Sequence, residues 1–200
     1  MKRKIIFYLL LIIPSISYSQ NKTTFEGVIN YDIKYISKDT SKVNEYCGNE
    51  AVVFIKQGNY KQEYPLAKEL KSIIYRRYDN KYYYFFKNTD RIRAIDCSVS
   101  NDTLINIERS NTITEILKHK CKSIIFHFQT KTVTYFYTED LYVDPTLFIK
   151  HKHFSYDRYA QETNSIYLKI IISDTKSDFI MTAKKIKEKK IDDNVFNITN

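Results

Sequence analysis

The sequence is poor in the residues that punctuate or cross-link a chain. Its 200 residues include no tryptophan, three glycines, three prolines and three cysteines. With glycine only at positions 27, 48 and 58, there is no P-loop, no dinucleotide fingerprint and no nucleophile elbow, each of which needs glycines at fixed spacing. The scarcity of proline and the absence of low-complexity stretches leave no candidate linker, so the chain reads as one folding unit. Three cysteines are too few for a disulfide-dense scaffold or a four-cysteine zinc module. Long apolar runs are also missing, with one exception at the start. What the sequence has in abundance is aromatic: 18 tyrosines and 12 phenylalanines.

The exception is "IIFYLLLII", Ile5 to Ile13, which follows Lys2, Arg3 and Lys4. It is broken by Pro14 and Ser15, and Ser17 and Ser19 stand three and one residues before Gln20. A basic start, a short apolar run and small residues before a cut are the layout of a secretory signal peptide, too short for a membrane span of about 20 residues. The expectation is a signal peptide over residues 1–19 and a single β-rich domain over 20–200, exported to the periplasm or secreted. No cysteine stands at the cut, so no covalent lipid is expected, and no integral span after cleavage. The net charge of +9 drops to +6 without the three basic residues of the leader. The basic residues are interspersed with acids until "AKKIKEKK", which argues against nucleic acid as a partner.

Period-two patterning dominates the rest. In "TFEGVINYDIKY", Phe25, Ile29, Tyr31, Ile33 and Tyr35 share one face, with Glu26, Asn30, Asp32 and Lys34 on the other. Four hairpins are expected, turning at Gly58-Asn59, Asp79-Asn80, near Thr130-Lys131, and at Asp174 to Ser177. Hairpins in sequence order imply a mainly β fold, an antiparallel meander of roughly eight to ten strands. Two short helices are expected, one from Pro65 in "PLAKELKS" and one in "DPTLFIKHKHF", where Asp144 can cap and Pro145 can start it. "KYYYFF" puts Tyr82, Tyr84 and Phe86 on one face and Tyr83 and Phe85 on the other. A strand aromatic on both faces is covered on both, or one face lines a cavity.

Candidate chemistry is thin. His119, Cys121, His151 and His153 could be set against zinc, but no second cysteine or carboxylate completes the spacing, and no metal or cofactor is expected. "TED" offers Glu139 and Asp140 on alternate faces of a strand, unsuited to paired acid/base work. No catalytic residues and no enzymatic activity are expected. Strand alternation sets Cys121 with Ser123, Ile125 and His127, away from Ile124, Phe126 and Phe128. In an oxidising compartment, Cys97, one strand away across "TLINIER", is the expected disulfide partner of Cys121, worth about 3 kcal/mol on the chain-entropy model. Cys47 is then the spare thiol. Tyr82, Tyr84, Phe86, Phe126 and Phe128 are expected as core or ligand-lining residues.

"FEGVINYDIKY", "ILKHKCKS" followed by "TVTYFYTEDLYVDP", and the closing "TAKKIKEKKIDDNVFNI" stand in an order that resembles exported Bacteroidetes proteins of the GLPGLI-like group, with Lys118 at a place where that group usually has glycine. Such proteins are similar in turn to the LolA/LolB-like half-barrel carriers. The resemblance implies a strongly curved antiparallel sheet with short helices, sheltering an apolar or amphipathic ligand, a lipid for example, in its concavity. The alternative is a structural or interaction protein of the envelope, partnered by another envelope protein, whose concavity is filled by its own side chains. A monomer is expected in either case.

Overall fold

The computed structural model describes residues 22–38 and 46–198; the expected leader lies outside the described residues. Eleven strands form one open antiparallel sheet. In chain order they are β1 (Gly27–Ser37), β2 (Glu50–Lys56), β3 (Asn59–Glu63), β4 (Leu70–Arg76), β5 (Lys81–Phe86), β6 (Ile92–Asp96), β7 (Leu104–Ile116), β8 (His119–Phe128), β9 (Thr132–Tyr142), β10 (Ser165–Ser173) and β11 (Ser177–Glu188). Their order across the sheet is β6-β5-β4-β3-β2-β1-β11-β10-β9-β8-β7. The chain is therefore not one continuous meander. It starts at the centre, winds out through five hairpins to β6, crosses to the opposite edge, and winds back in until β11 pairs with β1.

Alternation forms these strands and sets the face each buries. Along β1, Ile29, Tyr31 and Ile33 are buried while Asp32 and Lys34 are exposed, so the apolar set faces one side. The β2–β3 hairpin turns at Gln57-Gly58, one residue earlier than expected, because Lys56 pairs with Asn59. Both turn residues have positive φ (46° and 82°), the requirement of a two-residue turn that follows the strand twist. Gly58 is needed for a second reason: a Cβ there would lie 2.8 Å from Arg77 Cδ and 2.9 Å from Leu147 Cβ. The β7–β8 turn has the same form, with Leu117 at φ 51° and Lys118 at φ 67°. Lys118 thus adopts the left-handed conformation that glycine favours.

The segment from Val143 to Asn164 does not join the sheet. It forms a 3₁₀ turn (Pro145–Phe148), a second one (His153–Ser155) and the helix α1 (Tyr156–Thr163). Asp144 caps the first turn, accepting the Thr146 N–H, as its place before Pro145 implied. The expected helix at Pro65 is absent: residues 65–69 form turns and bends, and Leu70 already begins β4, buried against the core. The Val143–Asn164 segment caps the concave side and ties both arms of the sheet. The Lys150 carbonyl accepts from Asn80 Nδ2 at 2.9 Å, and the Lys152 N–H donates to the Cys97 carbonyl at 2.7 Å. At the other edge Glu162 pairs with Arg109 of β7.

The convex side of the β1–β6 arm carries a second apolar cluster. Val28, Ile74 and Phe85 are buried there under Ile191 and Phe196 of the C-terminal segment, whose last turn is a 3₁₀ turn at Asp193–Phe196. Lys56 Nζ fixes that segment by donating to the Ile191 carbonyl at 2.8 Å and pairing with Asp193 at 2.8 Å. Phe85 and Tyr83 thus belong to the outer cluster and Tyr82, Tyr84 and Phe86 to the inner one, so β5 is covered on both faces. No described helix is long and apolar enough to cross a membrane.

Candidate functional site

Antiparallel register stacks side chains of the concave face into rows. In the β1–β6 arm one row runs Ile55, Tyr60, Tyr75, Tyr82, and the next Val53, Gln62, Ile73, Tyr84. In the other arm Met181, Ile170 and Tyr135 make one row, and Phe179, Ile172 and Val133 another. Side chains of both arms meet around one cavity of about 320 Å³, so the sheet is curved around it. Phe148, His153, Phe154 and Tyr156 of the capping segment form its wall on the cap side. Tyrosine supplies more of the wall than any other residue: Tyr31, Tyr60, Tyr64, Tyr135 and Tyr167 contribute as well as Tyr82, Tyr84 and Tyr156.

The wall contains no aspartate, glutamate, lysine or arginine. Its polar atoms are hydroxyls, one amide, one imidazole and one thiol. Some are engaged within the wall: Tyr31 Oη donates to the Tyr167 carbonyl at 2.8 Å, and Tyr64 Oη to Gln62 Oε1 at 2.6 Å. Tyr60 Oη bonds both Tyr82 Oη and, at 2.8 Å, His151 Nε2. His151 is fully buried behind the wall, among the rings of Tyr60, Tyr75, Tyr82 and Tyr156, with the Tyr75 ring centroid 4.2 Å away. Its Nδ1 has no hydrogen-bond partner.

This burial sets the charge state of the site. Desolvation drives the His151 imidazole down to about 3, with a smaller contribution from the neighbouring His153. His153 is lowered in the same way, by burial and then by Lys131. Burial holds the Tyr60, Tyr82 and Tyr156 hydroxyls well above the ordinary tyrosine value, and pushes the Cys47 thiol up. Every titratable group of the wall is thus neutral near pH 7, and none is an activated acid, base or thiolate.

Of the residues singled out from the sequence, Tyr82 and Tyr84 line the cavity. Phe126 and Phe128 lie in the core without reaching it, and Phe86 packs half-buried against that core. The cysteine expectations need correction. Cys47, Cys97 and Cys121 are free thiols, and no Cys97–Cys121 bridge is present. The pairing argument placed one strand between them, but Cys97 follows β6, the strand at one edge, while β8 stands second from the other edge. Cys121 stands off the face of Ile124, Phe126 and Phe128, since the pairing of β8 with β9 runs unbroken from Lys122 to His127. Yet it is fully buried, because both faces of β8 are covered there. Cys97, expected in an exposed polar turn, is also fully buried, and burial pushes its thiol up to about 12.

Among the described residues no group of histidines, cysteines and carboxylates could hold a metal ion. His119 instead pairs with Asp140 at 2.8 Å. The sequence reading missed Tyr60 and Tyr156 as wall residues. The spacing Tyr60, Gln62, Tyr64 after the Gly58 turn carried the signal for the first. The spacing Tyr156, Tyr159, Ala160, Thr163 carried it for the second, as the inner stripe of α1.

Fold and site together define an open, curved antiparallel sheet that encloses a neutral, tyrosine-lined cavity under a short helical cap. No family model matches the sequence, and no curated protein matches it. Among solved structures, the chain is similar to PNGF-II, with a TM-score of 0.48 and 11% identity over 86% of this chain, though this is 30% of the length of PNGF-II. It is also similar to the Mycobacterium tuberculosis lipoprotein LppX (TM-score 0.41, 10% identity, 84% of this chain and 89% of that one). A LolA superfamily protein from Nitrosomonas europaea is a third neighbour (TM-score 0.41, 8% identity, 87% and 90%).

Proposed function

We propose that the protein is a non-catalytic binding module that shelters an apolar or amphipathic small molecule in the cavity between the two arms of its sheet, and that it acts after export, with residues 1–19 as its leader. One observation carries the binding reading. A concave space of about 320 Å³ is walled by aromatic and aliphatic side chains with a few polar atoms, a size and lining within the range of small-molecule sites, ~300–1,000 Å³. A protein of purely structural role would fill this space with its own side chains, as the convex cluster under Phe196 is filled. The absence of titratable groups poised near neutrality fits a carrier better than a catalyst.

Native mass spectrometry before and after delipidation tests the reading. A lipid-sized adduct that delipidation removes, followed by binding of an apolar fluorophore to the delipidated protein, is the expected result. If no adduct is seen and no apolar probe binds the purified protein, the binding reading is wrong. N-terminal peptide mapping of protein from the native host tests the export reading, which requires a mature chain starting at Gln20.

A further inference from the structure

The wall and the hydrogen-bond chain behind it constrain what the cavity can take. We infer that it accepts an uncharged ligand bearing a hydrogen-bond acceptor, an ester or ketone carbonyl, and sets that acceptor against the Tyr82 hydroxyl; this rests on the binding reading above.

The first part of the argument is charge. An ionised group brought into an apolar space needs a countercharge within reach, since burying an unpaired charge is strongly unfavourable. None is available in the wall. The cap's own cations, Lys150, Lys152 and Arg158, are outside the wall, with Lys152 paired to Asp157 at 2.6 Å and Arg158 to Glu162 at 3.8 Å. Lys131, beside the cap, lies over the rings of Phe128 and Phe154, 5.4 and 4.7 Å from their centroids. It is already paired with the buried Asp102 at 3.1 Å. Arg93 pairs in register with Tyr84 but is exposed on the edge strand β6, outside the wall. A carboxylate or phosphate inside the cavity would therefore stand alone.

The second part is the direction of the hydrogen bonds. His151, Tyr60 and Tyr82 form a chain that can run two ways. If Tyr82 donated to Tyr60 and Tyr60 to His151 Nε2, the imidazole proton would sit on Nδ1, a buried N–H with no partner. If Nε2–H donates to Tyr60 and Tyr60 donates to Tyr82, only a lone pair on Nδ1 is orphaned. Orphaned buried N–H groups are the rarer of the two. The second direction leaves the Tyr82 hydroxyl proton as the free end of the chain, with no acceptor among the described residues, in the wall of the cavity. A ligand carbonyl completes it.

Displacement of bound N-phenylnaphthylamine by methyl decanoate, decanoate and decane tests both parts in the wild-type protein. Near neutral pH the ester should bind about tenfold more tightly than decane, the value of one good hydrogen bond. Decanoate should be the weakest of the three and should tighten as the pH falls toward its own pKa. In Tyr82→Phe the gap between ester and decane should close to less than about twofold. The inference is overturned if decanoate matches the ester near neutral pH. It is likewise overturned if Arg93→Gln selectively weakens decanoate, which would put an anionic head at the rim. An unchanged ester–decane gap in Tyr82→Phe overturns the assignment of the acceptor. If neither the fluorophore nor any of the three binds, the cavity reading falls and this inference with it, whereas tight decanoate overturns this inference alone.

Discussion

Replacing His151 by phenylalanine should alter how stability depends on pH, and the sign can be worked out. The imidazole titrates near 6.5 in an unfolded chain and at about 3 in the folded protein. Between those values the unfolded state binds one more proton than the folded state, so stability falls as the pH falls. Each pH unit costs about 1.4 kcal/mol for one proton, so the wild type should lose about 3 kcal/mol through His151 between about pH 6.5 and pH 4. Phenylalanine fills a similar volume and does not titrate, but it leaves Tyr60 without its nitrogen partner, at about 1–2 kcal/mol. The wild type should therefore be the more stable at pH 7 and the variant at pH 4, with the two curves crossing between. Glu26 (which accepts the Ile191 N–H) and Asp140 (which bonds His119) also have lowered values, but they titrate in both proteins and cancel in the comparison. The repulsion between His151 and His153, by contrast, is lost with His151 and belongs to the difference. Urea unfolding followed by tyrosine fluorescence at half-unit pH steps gives the difference directly. Parallel curves across this range would mean that His151 is not held neutral by its burial, and the reasoning about the site's charge state would be wrong.

Three other perturbations have definite outcomes. Lys118→Gly should raise stability by about 0.5–1 kcal/mol, because the left-handed backbone there is unfavourable for an L-residue and natural for glycine; an unchanged or lower urea midpoint would contradict the turn. Phe196→Ala should cost about 3 kcal/mol by uncovering Val28, Ile74 and Phe85, and should open the C-terminal segment to limited proteolysis; unaltered midpoint and cleavage would mean the segment does not cover that face. Iodoacetamide should label three thiols in denaturant without reductant, while in the native protein half-buried Cys47 reacts first and Cys97 last. Two unreactive cysteines in denaturant would restore the bridge.

How much of this was legible beforehand depended on the range of the interactions. The strands of β1, β5 and β9–β11 could be read because alternation is local, and so could the opposite coverage of Tyr84 and Phe85. Turn chemistry at Asp79-Asn80 and Asp174 is local too. The error over Cys97 and Cys121 came from a step that is not local. A polar stretch between β6 and β7 reads the same whether the next strand pairs beside β6 or crosses to the far edge. The pairing of β1 with β11 had no local signal at all. The register irregularity between Ser110 and Thr114, where β7 pairs with β8 near Cys121, was equally silent, since glycine does not mark it. The helix α1 carries little local signal at its start: Ser155 precedes it in a left-handed conformation without a capping bond, although Asn164 ends it in the ordinary left-handed way. The cavity wall needed both arms in place, so composition could suggest tyrosine-rich packing but not an enclosed space.

The central pairing of β1 with β11 has a consequence for biogenesis. Gly27 lies opposite Glu188, and Ser37 opposite Ser177, so the middle of the sheet joins the first of the described strands to the last. Until β11 leaves the ribosome, β1 is an open edge with Ile29, Tyr31 and Ile33 uncovered on one flank. The β1–β6 arm can form hairpins alone, but it cannot complete its core. Contacts this distant in sequence make folding slow and leave half-built sheets prone to join one another. A chain truncated before Ser177 should therefore aggregate rather than yield a smaller soluble domain. For the exported protein proposed above, the same delay would keep the chain open to a translocation channel until its last strand arrives.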